Sequence, residues 1–246
     1  MTHPLDGARL KVVRAQEHLK SLNAAVLKYK SLKPYVVRIE KKPDEWHGTA
    51  DITDHPDPMI SAIIGDCLHN LSSALDYTMW EVVGTCAGRV LVPPPQGDDR
   101  IYFPLCENDV VFNKTISRLN HLKKENYKLT DAVIVALKSV QPYQAGYEPL
   151  SFFRELANAD QHRLPLIIIG DIETISTRVI TISRSPTFNL VLTDDPSYHE
   201  PQMNTQATVC VTWQDPFMPP EPVERTMADF VKLVADIVPR FDRFCI

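Results

Sequence analysis

Asp66, His69, Asn70, Ser73 and Asp76 sit within one stretch, DPMISAIIGDCLHNLSSALDYTMWEVV, and no lysine or arginine interrupts it. At about 100° per residue these five fall within roughly a third of a helix circumference. Ile64, Cys67, Leu68, Leu71, Leu75 and Val82 fall on the opposite side. Solvated helix faces are usually built from Lys, Glu and Arg. This one is built from side chains that accept protons, hydrogen-bond or ligate. The whole interval from Pro43 to Gly88 is free of Lys and Arg. A second polar cluster, Asn158-Ala159-Asp160-Gln161-His162-Arg163, closes another helical pattern whose apolar side is Leu150, Phe152, Phe153, Leu156 and Ala157. The same wheel puts Asp160 on that apolar side, where a carboxylate needs a partner. Arg163 and His69 are the candidates.

If the clusters meet, three chemistries are open. His69 could be a general base oriented by Asp76 or Asp160, with His162 beside it and Arg163 clamping an anionic group such as a phosphate. Asp66, Asn70, Ser73 and Asn158 would then position the substrate. Asp66-x2-His69 with Asp160-x-His162 could instead bind a metal, although carboxylate–histidine bundle sites use Glu. No metal or other cofactor is therefore assigned. His69, Ser73 and Asp76 have the residue types of a hydrolase triad, but all three share one helix and there is no GxSxG elbow. Against these stands a structural reading, in which the clusters are a hydrogen-bond network that ties helices together. GxGxxG, Walker A and HExxH patterns are absent.

These clusters need elements to hold them. Residues 6–32 have the spacing of a long amphipathic helix with Leu10, Val13, Leu19, Leu22, Val26 and Leu27 as its apolar side. Residues 35–41 and 46–52 read as a hairpin. Asp57-Pro58 is a helix-start signal for the polar-striped helix, which stops near Gly84 or Gly88. Residues 89–105 form a loop, with Tyr102, Phe103 and Pro104 pinned against the core. Helices are expected over 109–126, 129–140 and 149–163. Residues 166–184, 187–193 and 206–213 are rich in Ile, Val and Thr and read as antiparallel strands. The last helix runs from about Glu224 to Phe244, with Met227, Phe230, Val231, Val234, Ile237, Val238 and Phe241 on one side. The order predicts an α+β fold: a helical bundle packed with an antiparallel sheet made of the early hairpin plus C-terminal strands, ending in a long helix. A single domain over 1–246 is expected, mainly helical over 1–165 and strands plus the final helix over 166–246.

The segment Gly65–Asp76 resembles a set of uncharacterised bacterial proteins whose pattern is roughly GDxLHNLRSALD, then FP, QPY and NxDKHR. Here Phe103-Pro104, Gln141-Pro142-Tyr143 and Asn158–Arg163 follow in that order, over about 100 residues. Ser72 stands where the pattern has arginine, and Gln161 where it has lysine. The resemblance implies that both polar clusters belong to one site and brings no activity with it. A remoter likeness is to the HEPN superfamily of helical RNA-cutting and defence-associated domains, through the bundle and a polar helix end bearing Asn and His. HEPN ribonucleases carry an Arg followed, after four to six residues, by His. Arg154 and His162 are separated by seven, so the likeness implies at most a HEPN-like fold without the standard ribonuclease spacing.

Composition bounds the rest. The net charge of −5 argues against a strongly cationic nucleic-acid binder. Five cysteines, widely spaced and without a CxxC pair, point to free thiols and a reducing, cytoplasmic setting. The N-terminus has no signal-peptide h-region, and the most apolar run, Leu164–Ile169, is too short to span a bilayer. The expectation is a bacterial cytoplasmic protein with no membrane association. A hydrolase acting on a phosphate-bearing or nucleotide substrate and a non-catalytic binding or interaction protein remain the competing functions. The ligand is an unknown small molecule or nucleotide, and the C-terminal helix could mediate a homo-oligomer.

Overall fold

In a computed structural model of the chain, the described residues are 3–41, 45–88, 90–91, 101–120, 128–162, 168–176, 181–183, 187–191, 206–213 and 221–245. The fold is α+β. Helices α1 (Asp6–Ser31), α2 (Met59–Ala87), α3 (Asp109–Leu119), α4 (Asp131–Ser139), α5 (Pro149–His162) and α6 (Val223–Ile237) accompany strands β1 (Tyr35–Lys41), β2 (Glu45–Ile52), β3 (Ile168–Ser176), β4 (Thr181–Ser183), β5 (Thr187–Val191) and β6 (Gln206–Trp213). The chain forms two compact units. One comprises Met1–Lys20, Ala62–Leu166 and Thr226–Ile246 and is helical. The other comprises Ser21–Ser61 and Ile167–Arg225 and holds every described strand.

Local chemistry explains the ends of these elements. The Asp57 carboxylate accepts the Met59 N–H at 2.9 Å, capping the start of α2. Asn108 and Thr130 do the same for α3 and α4. Pro239 cannot supply the N–H that would continue α6, so the chain passes there into a 3-10 helix over Val238–Phe244. The uninterrupted final helix expected over 224–244 is thus two pieces.

In the strand unit, β2 pairs antiparallel with β1 and with β5, so the early hairpin does join a late strand. The strands form two sheets, ordered β1-β2-β5 and β4-β3-β6. Consecutive β4 and β5 enter different sheets. The β3–β6 ladder shifts register between Ile172 and Thr174. The C-terminal end of α1 belongs to this unit, where Leu22, Val26 and Tyr29 are buried. The Tyr29 hydroxyl donates to the Asp54 carbonyl at 2.8 Å. It also lies where β3 can offer only a glycine, because a Cβ on Gly170 would fall 2.0 Å from the Tyr29 oxygen. Burial first, then the Asp54 carboxylate and Cys210, push the Tyr29 hydroxyl up to about 12, so it stays a proton donor.

In the helical unit the core gathers around α2, whose Ile64, Cys67, Leu68, Leu71, Leu75 and Val82 are buried as their spacing predicts. Phe241 meets Phe103 edge-on at 5.7 Å between ring centres, and Phe153 meets Phe230 at 5.5 Å. The apolar side of the final helical pattern, from Met227 through Phe241, is buried within the chain.

Two expectations need correction. The buried side of α1 is Ala8, Val12, Ala15, Leu22, Val26 and Tyr29, whereas Leu10, Val13 and Leu27 are 64%, 47% and 65% exposed. On the buried side the Ala15 carbonyl accepts from the Cys67 thiol of α2 at 3.4 Å. Tyr102, expected in the core, is 54% exposed, while its neighbours Ile101 and Phe103 point inward. All five cysteines are free. Among the described residues no helix is long and apolar enough to cross a membrane.

Candidate functional site

Along the polar stripe of α2 the environment changes from solvent to interior. Asp66 and His69 are exposed. Asn70 is half-buried and turns its amide back to donate to the Asp66 carbonyl at 2.8 Å. Ser73 is half-buried. Asp76, two turns beyond His69, lies partly beneath the loop that precedes α3, where its Oδ1 accepts the Phe103 N–H at 2.9 Å. Burial pushes the Asp76 carboxyl up to about 6, and the bond from Phe103 pulls the other way without cancelling it.

That loop, residues 101–107, is held from three further directions. Gln141 is fully buried and saturates its amide. Its Oε1 accepts the Cys106 N–H at 2.9 Å, and its Nε2 donates to the carbonyls of Pro104 and Leu137, each at 2.8 Å. Arg154 of α5 donates to the Leu105 carbonyl at 3.1 Å and pairs with the Glu107 carboxylate at 2.8 Å. Phe103 and Cys106 face inward, and the Cys106 thiol approaches Thr115 Oγ1 at 3.8 Å. Nearby, Lys138 pairs with Asp109 across the start of α3 at 2.8 Å.

Three of the sequence pieces singled out above therefore meet: Asp76 from the α2 segment, Phe103-Pro104, and Gln141. They meet through backbone-satisfying hydrogen bonds around a loop that lacks a ladder partner. Such bonds replace those a strand or helix would provide. Asn158 is exposed on α5. Asp160 and His162 lie on the last turn of α5, with side chains outside the described residues, and Arg163 lies wholly outside them. Among the described residues no group of three His, Cys, Asp or Glu side chains could hold a metal ion.

Gln141 and Arg154 are the tethering residues that chemistry-based reading of the sequence passed over. Gln141 was legible in principle. It continues the buried Val133, Leu137 row of α4 at four-residue spacing, so a polar side chain there must be both buried and satisfied. Arg154 had no comparable signal, since its partners are a loop carbonyl and a carboxylate 47 residues away. No family model, curated protein or solved structure matches the chain.

Proposed function

We propose that this protein works by binding, with the outer part of the α2 stripe, exposed Asp66 and His69 flanked by half-buried Asn70 and Ser73, as its recognition face. One observation carries this reading: the Asp76 carboxylate, the stripe's best candidate to orient His69, is engaged with the Phe103 N–H and half-buried, while His69 stands in solvent. A histidine in bulk water has no preorganised neighbours to orient it toward a substrate. A face free of Lys and Arg suits a partner or small ligand that supplies positive charge or hydrogen-bond donors.

A second reading is kept by one feature. A carboxyl raised to about 6 could exchange a proton near neutral pH, which suits a hydrolase for phosphate-bearing or nucleotide substrates with His69 as base, His162 beside it and Arg163 as anion clamp. A HEPN-like helical scaffold lacking the ribonuclease spacing belongs to this reading. Steady-state assays on nucleoside mono-, di- and triphosphates, a phosphomonoester and a short RNA separate the two. Binding predicts no turnover above buffer. Turnover lost in His69→Ala, with the melting temperature unchanged, would establish the hydrolase instead.

A further inference from the structure

The exposed side of α1 carries a second regular row. Leu10, Val13, Glu17, Lys20, Ala24 and Leu27 are all exposed and recur at alternating spacings of three and four, opposite the buried row. This is the spacing of a helix that pairs with another helix. The row is self-complementary when reversed. Leu10 matches Leu27, Val13 matches Ala24, and Glu17 matches Lys20. Each match is centred between His18 and Leu19, which is also the midpoint of α1.

We infer that α1 is a two-fold dimer surface on which a second copy of this chain lays its own α1 antiparallel. Leu10 packs on the second copy's Leu27, Val13 on its Ala24, and Glu17 faces its Lys20. A two-fold contact requires this reciprocity, in which each pair occurs twice. A parallel, in-register arrangement would set Glu17 against Glu17 and Lys20 against Lys20, and like charges oppose it. Within one chain Arg14 already pairs with Glu17 at 2.6 Å and sits at the flank of the row, where it extends the stripe's charged border. The final helix offers no such surface, since its apolar side is buried. A 26-residue helix is about 39 Å long.

Sedimentation velocity over about a hundredfold range of concentration tests this. The wild-type chain should shift from monomer to dimer. Glu17→Lys alone, or Lys20→Glu alone, should weaken dimerisation by about tenfold or more. The double change Glu17→Lys with Lys20→Glu should restore it, because the pair is rebuilt in reverse on both sides. Val13→Cys combined with Ala24→Cys should give an interchain disulfide with oxidised glutathione as oxidant, and neither single variant should. Circular dichroism checks that each variant is folded. A monomer throughout the range overturns the inference. So does a dimer indifferent to the single charge changes, or one cross-linked by Val13→Cys alone.

Discussion

At the scale of single residues, Asp76 and Gln141 determine how the 101–107 loop is held, and each makes a distinct prediction. The Asp76 carboxyl has an ordinary value of 3.8 and is raised to about 6 by burial. The folded chain therefore binds a proton more tightly than the unfolded one. The associated stability is fully present below pH 3.8, declines as pH rises, and is gone once the pH passes about 6. Its size is on the order of 2 to 3 kcal/mol. Asp76→Asn keeps an acceptor for the Phe103 N–H without a buried charge. It should flatten the stability profile between pH 4 and 6 and leave the protein at pH 7.5 at least as stable as wild type, as read by urea denaturation at each pH. Asp76→Ala should cost about 1–2 kcal/mol at pH 5, because the Phe103 N–H loses its partner. Gln141→Leu removes three hydrogen bonds at a site with no exposure. A loss of roughly 3 kcal/mol is expected, with a lower urea midpoint. His69→Ala, by contrast, should move stability by no more than about 0.5 kcal/mol, as for an exposed position.

At the scale of elements, the sharpest constraint is the approach of α1 to β3. The Tyr29 hydroxyl occupies the space a side chain at position 170 would need. Gly170→Ala should lower stability by about 1–3 kcal/mol through overpacking. Tyr29→Phe removes the oxygen that would collide, but also the bond to the Asp54 carbonyl. The double variant should therefore be less destabilised than the sum of the two single ones, and thermal melts of all four proteins measure that coupling. Capping is local, since Asp57, Asn108 and Thr130 act within three residues of their own position, and of the three Asp57 followed by Pro58 was the start readable beforehand. The 3-10 ending at Val238–Phe244 was equally local, and Pro239 carried its signal. The facing of α1 was not. Leu10, Val13 and Val12, Ala15 are both tolerable as a buried row by spacing alone, and the packed chain buries the second pair.

At the scale of the whole molecule, pairing through α1 links stability to concentration. Mass action then raises the melting temperature as protein concentration increases, and Glu17→Lys should remove that dependence. The α+β class, the start of α2 at Asp57, the free thiols and the buried rows of α2 and α6 were determined by the sequence itself, because periodicity, capping and burial each act over a few residues. The tertiary structure alone decided that the hairpin shares a sheet with β5 while β4 joins another, that Leu10 and Val13 face solvent, and that Asp76 is bound to a loop backbone while His69 is not. Those outcomes depend on pairs far apart in the chain, such as Asp76 with Phe103 and Gln141 with Pro104. A side chain's type states what it can bond to; only the packed chain brings one particular partner within reach.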